Sequence, residues 1–450
     1  MNELYKNSRL VVVILAAGQG TRMKSSLPKV MHKVAGRPMI NWIIETAESL
    51  NPEKIIVVTA PNQDAVVEAV QPHQVAIQKQ QNGTGDAVKP ALEHLKNFDG
   101  KVLILMGDEP FIDVNVLEEM IAHEGLSVMA VEQDFPSSLG RVVLNEDGTL
   151  HSIIEAKDCD EKQLNISVRN AGNYCIPAKH LEKWLNALRN DNAQGEYYLT
   201  DIPVIAGQEG HETHVFETEL ECGWGINTRV ELAEHEIWIQ DILRTDAMEN
   251  GVTMIDPASV TLSYDTQLGQ DVIIEPNVVF GTGVRVADNV KINAFSHIVG
   301  TEVEEGAEIG PYARIRPKSK IEAGASVGNF VEVNRSTLKA GAKSKHVSYI
   351  GDAVIGKKTN IGAGTVIANY DGFFKHQSTI GDEVFVGSNA TIISPVEVGD
   401  GAILAANSTI NKDVPGNAMA VARQRQENHN GWASEYRKMK LEQKAQEEED

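Results

Sequence analysis

A chain of 450 residues is too long for one ordinary core and implies two or three domains. Its 42% apolar and 23% charged residues suit a soluble globular protein, and a net charge of −22 argues against general binding of nucleic acid polyanions. Its three cysteines (Cys159, Cys175, Cys222) fit no zinc spacing and suit a reducing cytoplasm, and no apolar run reaches the roughly 18 residues of a membrane span.

Met1–Arg9 is short and polar, and the apolar run after it ends in a glycine loop without a signal-peptide cleavage pattern. From Leu10 to about Arg229, strand-like and helix-like text alternate. Leu10–Leu15, Lys54–Thr59, Lys101–Met106 and Leu126–Val131 are β-branched-rich runs that read as strands buried on both faces. Pro38–Leu50 carries Met39, Trp42, Ile43 and Ala47 at helical spacing. Such alternation predicts an α/β domain with a parallel, doubly wound, Rossmann-like sheet, whose ligands lie beyond the C-terminal ends of its strands.

The first strand runs into Ala16-Ala17-Gly18-Gln19-Gly20-Thr21-Arg22-Met23. Glycines there let the backbone approach phosphate oxygens. Gly18-Gln19-Gly20 alone lacks the third glycine of the dinucleotide fingerprint and the Lys-Ser/Thr of the P-loop. Two cations, Arg22 and Lys29, bracket the loop and point to triphosphate binding; the plainer alternative is a tight turn with two solvated cations. Strand Lys101–Met106 ends in Gly107-Asp108-Glu109-Pro110. A carboxylate at that tip can hold Mg²⁺ against phosphates, although Gly-Asp-x-Pro is also common turn chemistry.

Val230–Asn250 reads as a connecting helix, and beyond it the text changes. Val260, Val272, Val278, Val284 and Val290 keep a six-residue phase. So do Val303, Ile309, Ile315, Ile321, Val327 and Val333, then Ile355, Ile361 and Ile367, then Ile380, Val386, Ile392, Val398, Leu404 and Ile410. A period of six predicts a parallel β-helix with roughly eight coils of about 18 residues, the aliphatic residue pointing inward. Tyr370–Ser378 breaks the phase and reads as a loop thrown out from the coil. Gln424–Asp450 is polar and reads as a mobile tail with some helix.

Within the β-helix, Lys345-His346-Val347-Ser348-Tyr349 sets a histidine near a tyrosine, with Asn360, Asn369-Tyr370 and Lys375 downstream. Histidine is the usual choice for a base that works near neutral pH. Ile315 points inward, so Arg314 and Arg316 point out and offer charge for a phosphate. A lone His346 would otherwise be a surface residue.

Leu15–Met23 with Pro28-Lys29 is similar to the signature of sugar nucleotidyltransferases. Nearly end to end, the chain resembles the bacterial bifunctional N-acetylglucosamine-1-phosphate uridyltransferases/glucosamine-1-phosphate acetyltransferases. Asn82-Gly83-Thr84-Gly85, Gly140-Arg141, Ile154–Asp158, Asn170-Ala171-Gly172, Gln194–Asp201 and Gly225-Ile226-Asn227 continue the likeness. It implies a left-handed hexapeptide-repeat β-helix and four spans: a uridyltransferase domain (1–229), a linker helix (230–250), an acetyltransferase domain (251–423) and a tail (424–450). It implies UTP and N-acetylglucosamine 1-phosphate as ligands of the first domain, held by Leu15, Ala16, Gly18, Lys29, Gln78, Gly83, Thr84, Gly140, Glu155, Asn170 and Asn227. Arg22 and Lys29 would be catalytic, and Asp108 and Asn227 would ligate Mg²⁺.

For the second domain the resemblance implies His346 as base, and Arg316, Tyr349, Asn360 and Lys375 as ligands of glucosamine 1-phosphate. Asn369, Tyr370, Ser388, Ala406 and Arg423 would contact acetyl-coenzyme A, in sites built between the subunits of a cytoplasmic homotrimer. Two departures stand out. Met106 replaces a tyrosine common in relatives, and Asn334 replaces a lysine for the sugar phosphate; the neighbouring Arg335 faces the other way on a regular strand. Two rival readings remain: a different sugar-phosphate nucleotidyltransferase with the β-helix as a trimerising scaffold, and a catalytically silent binding subunit.

Overall fold

The computed structural model describes residues 9–133 and 138–449. Residues 1–8 of the polar start Met1–Arg9 and the last residue of the tail lie outside that range. The chain divides into two compact units, the first ending at Leu243 and the second beginning at Arg244. The division falls within one helix, α3 (Arg229–Glu249).

The first unit is built on a mixed sheet. In chain order its main strands are β1 (Leu10–Leu15), β2 (Lys54–Thr59), β3 (Gln74–Ile77), β4 (Lys101–Met106), β5 (Leu126–Glu132), β6 (Arg141–Leu144), β7 (Leu150–Ile154), β8 (Val168–Pro177) and β9 (Thr213–Thr218). They lie side by side as β9-β5-β8-β4-β1-β2-β3, with β6 and β7 paired off this path. Both faces of β1 are covered. Val11, Val13 and Leu15 join one core, and Leu10, Val12 and Ile14 the other, with α1 (Met39–Ser49) on the second side. Each fully buried aliphatic side chain of this kind contributes about 1.5–3 kcal/mol.

The doubly wound class stands, but the sheet is not wholly parallel. The strands β4, β1, β2 and β3 run parallel, as do β5 and β9. Strand β8 is wedged antiparallel between β4 and β5. Arg169, Asn170, Gly172 and Asn173 interrupt its apolar text, so no buried run marks it in the sequence. The same residues coincide with a register shift against β5 between Asn170 and Tyr174.

The second unit is a left-handed parallel β-helix of hexapeptide repeats. Short strands stack in register from coil to coil: Ile274 on Ile292, Ile292 on Ile309, Ile309 on Val327. These aliphatic side chains are buried, as are Ile361, Ile392 and Leu404 further along. Burying one aliphatic residue per face and turning a corner between faces requires the six-residue period. Two strands are unusually long, β10 (Ser326–Asn334) and β11 (Lys343–Gly351). They run round a corner and pair with each other from Ser326–Lys343 to Asn334–Gly351. The corner residues Phe330 (φ 56°) and Val347 (φ 24°) are left-handed, a rare conformation for a bulky or β-branched residue. The segment read as a mobile tail contains a full helix, α4 (Trp432–Glu449).

Candidate active sites

The first site opens beyond the C-terminal ends of β1, β3 and β4. A cavity of about 380 Å³ is lined by Leu15, Ala16 and Gly18 from the first loop, by Lys29, and by Gln78, Gly83 and Thr84 after β3. Met106 and Asp108 line it from the tip of β4. Gly107 is dictated by close approach: a Cβ there would lie 2.6 Å from the carbonyl oxygen of Leu15. Gly83 (φ 110°) is equally confined, its absent Cβ lying 2.6 Å from the carbonyl oxygen of Tyr197.

Lys29 is the hub of this site. Its Nζ donates to the Asp108 carboxylate and, at 2.8 Å, to Asn227 Oδ1. Arg22 donates to the same Asn227 oxygen at 2.8 Å. The two expected metal ligands therefore converge on one cation. The donor set, a carboxylate and an amide oxygen, is the hard-oxygen chemistry that Mg²⁺ takes beside substrate phosphates. The neighbouring Glu109 is buried, and burial together with the Asp108 charge pushes its carboxyl well above the usual range.

Other expected contacts are committed to the scaffold. Gln78 is buried and donates to Asp86 at 3.0 Å, and Thr84 Oγ1 accepts the Leu199 N–H at 3.0 Å. Asn170 donates its N–H to the Gly140 carbonyl at 2.9 Å, which sets these two expected sugar contacts side by side. Glu155 accepts from Thr200 at 3.2 Å, and burial pushes its carboxyl up. Gly140, Glu155, Asn170 and Asn227 are not among the cavity-lining residues. Gln81, Gln19 and Glu196 line it and were not anticipated; Gln81 ties the loop together by donating to the Ala17 carbonyl and accepting from Gln19 at 2.5 Å.

In the second unit, His346 stands beside the corner residue Val347. Its Nδ1 lies 3.0 Å from Asn329 Oδ1 on the coil below. An amide oxygen only accepts, so this contact calls for the proton on Nδ1, and in a neutral ring that leaves the Nε2 lone pair for a base to use. Asn329 escaped the sequence reading because its register with His346 is a product of coil stacking. Tyr349 stacks on Glu332, and Glu332 on Arg314. Arg316 and Arg314 both reach Glu332, at 3.0 and 3.4 Å. Asn360 is in register with Lys343, at the other end of β11 from Tyr349.

Asn334 is buried, with Nδ2 3.5 Å from the Tyr349 hydroxyl. Arg335 is left-handed (φ 49°), so the strand does end there, yet its guanidinium is bidentate on Asp352 with two 2.6 Å bonds. That pair holds the Asp352 carboxyl below its usual range, and Asp352 also accepts from Asn369. The loop after Asn369 is organised by Asp371, which accepts from the backbone of Phe373 and Phe374 and from His376 Nε2. These bonds, His376 foremost, pull its carboxyl down to about 2. Tyr370 bridges to Lys375 across that loop. Ser388 and Ala406 hold equivalent positions on successive coils, and the Arg423 side chain reaches across to Ala406. Asn407 N–H donates to the Ser388 carbonyl at 2.8 Å, and Arg423 to the Ala406 carbonyl at 3.1 Å.

Residues 12–137 match the MobA-like NTP transferase domain model. Residues 265–300 and 377–412 match the bacterial transferase hexapeptide (six repeats) model, and 298–386 the GMPPB C-terminal domain. Three similar proteins share the printed name "Bifunctional protein GlmU". The one from Paramagnetospirillum magneticum is 44% identical, covering 98% of this chain and 99% of the relative. Those from Zymomonas mobilis and Neisseria meningitidis are 42% and 41% identical, covering 95% and 94% of this chain and 97% of each relative.

Proposed function

The chain belongs to the bifunctional GlmU family, the uridylyltransferase and acetyltransferase of UDP-N-acetylglucosamine synthesis, and on that premise we propose which residues perform each transfer. The family's nucleotidyltransferase is metal-dependent, and we assign the metal as Mg²⁺ held by Asp108 and Asn227. The observation that carries this reading is the convergence of both oxygens on Lys29 Nζ. Held by these two residues, Mg²⁺ would supply positive charge against the triphosphate. Lys29 and Arg22 supply cationic charge beside it, and the Gly18 loop brings main-chain N–H groups towards phosphate. A phosphate oxygen of N-acetylglucosamine 1-phosphate attacks the α-phosphorus of UTP, one P–O bond forms, and the bond to pyrophosphate breaks. No covalent enzyme intermediate is needed. Gln78, Gly83 and Thr84 serve the uracil end, and Gly140, Glu155 and Asn170 the acetylated sugar.

In the second head His346 Nε2 accepts the proton of the glucosamine 1-phosphate amine as nitrogen attacks the acetyl-coenzyme A thioester. The C–N bond forms, the C–S bond breaks, and coenzyme A leaves as the thiol once its sulfur takes the proton held on His346. Asn329, through Nδ1, holds the ring in the required tautomer. Arg316, Tyr349, Asn360 and Lys375 hold the sugar phosphate, and Asn369, Tyr370, Ser388, Ala406 and Arg423 the coenzyme. The separation of Asn360 from Tyr349 along β11 favours sites completed by neighbouring copies, as a homotrimer provides. So do the exposed stacked rings of Phe295, Tyr312 and Phe330, and Phe373, which is 86% exposed. Among the described residues no helix is long and apolar enough to cross a membrane, and the cysteines are free thiols; we assign both reactions to the cytoplasm. The test of the metal assignment is Asp108→Ala, expected to abolish pyrophosphate release from UTP and leave acetyl transfer intact. Near-normal uridylyl transfer in that variant would refute it.

A further inference from the structure

Asn173 is fully buried where β8 shifts register, and it belongs to none of the expected contacts. Its side chain joins the two ends of the strand tip that bears Asp108. Oδ1 accepts the Met106 N–H at 3.1 Å, and Nδ2 donates to Glu109 Oε2 at 2.6 Å. Only this orientation of the amide satisfies both partners. Between the two anchors lie Gly107 and Asp108, whose backbone is held from other sides. Gly107 N–H donates to the Leu15 carbonyl at 2.9 Å, and Ile226 N–H donates to the Asp108 carbonyl at 2.9 Å. Asn173 is thus the side-chain member of a frame that is otherwise main chain.

The physical need is specific. The β8–β4 ladder pairs Tyr174 with Ile104, and its Cα register is not continued to Met106, so the Met106 N–H takes its acceptor from a side chain. Glu109 is only 5% exposed, and a buried carboxyl group without a donor is costly. One asparagine meets both demands and fixes the direction in which Asp108 leaves the strand.

We propose that Asn173, acting with Glu109, is a positioning residue for the metal site: it clamps the tip of β4 so that Asp108 faces Asn227. This rests on the reading of Asp108 and Asn227 as cation ligands. The test is a Mn²⁺ titration, read by electron paramagnetic resonance, of the full chain holding UDP-N-acetylglucosamine. Asn173→Leu, close in shape but unable to make either bond, weakens Mn²⁺ binding roughly 10–100-fold, the usual effect of removing a residue that orients a metal ligand. The double variant Asn173→Leu/Glu109→Leu removes the carboxylate left without a donor, so it recovers thermal stability while Mn²⁺ binding stays weak. Acetyl transfer is unchanged in both. If either variant binds Mn²⁺ as tightly as the parent, the clamp is refuted. Asp108→Ala separates the two ideas. Parental binding in that variant overturns the ligand assignment and the clamp with it, whereas lost binding there with parental binding in Asn173→Leu overturns the clamp alone.

Discussion

At the scale of single residues, the second head turns on one polar contact between coils. For His346 it is Asn329, and His346→Ala is expected to lower acetyl transfer by about 10²–10⁴, the usual share of a general base, with uridylyl transfer unchanged. Retained acetyl transfer would overturn the assignment. Asn334 supplies a second test. The guanidinium of Arg335 is neutralised by Asp352 and leaves the position without free charge. Asn334→Lys should therefore lower KM for glucosamine 1-phosphate on the order of tenfold, the worth of one charge-assisted bond, in a steady-state assay. An unchanged KM would show that Arg316 and Lys375 already saturate the phosphate. Residues in continuous motifs, such as Gly18, Lys29, Asp108 and His346, were legible because the motif is the signal. Asn329, Glu109 and Asn173 were not, because each acts through a partner brought near only by register.

At the scale of elements, the six-residue phase was the most legible feature, since most inward positions are aliphatic and stack coil on coil, with Ser344 the exception between Val327 and Ile361. Ile309→Ala in that column should cost about 2–5 kcal/mol, read as a lower melting temperature for the second unit. Strand β8 was illegible for the converse reason: a strand that carries site residues and a register shift cannot keep a clean apolar pattern. The first unit also holds two histidine pairs at the start of β5, β9 and α2 (Ala178–Ala187). His123 lies 4.2 Å from His214, and His180 4.4 Å from His211, between ring centres. Burial first, then the facing histidine, lowers the pKa of His123 and of His180; Lys101 adds to the first and Lys179 to the second, against Glu124 and Glu209. The folded unit binds fewer protons here than the unfolded chain. Stability is therefore full above the ordinary imidazole value of 6.5 and falls as pH drops below it. Melting at pH 7.5 and 5.5 should show this loss, and His123→Phe/His180→Phe should shrink it; an equal loss in the double variant would contradict the account.

At the scale of the molecule, the change from strand–helix alternation to hexads separated two kinds of fold before any residue was given a role. Composition and period alone reached a nucleotide-phosphate site joined to a β-helix; the assignment of each partner to each head came from the family likeness. A native mass measurement is expected to return three copies of the 49.1 kDa chain, and an acetyl-active monomer would contradict the shared site. The central claim is two heads acting in sequence on one sugar. Its most direct measurement supplies glucosamine 1-phosphate, UTP and Mg²⁺ with or without acetyl-coenzyme A, following free thiol and pyrophosphate together. The account predicts thiol first, pyrophosphate after a lag, and almost none when acetyl-coenzyme A is withheld. Pyrophosphate at the same rate without the acetyl donor, or thiol never followed by pyrophosphate, would contradict it.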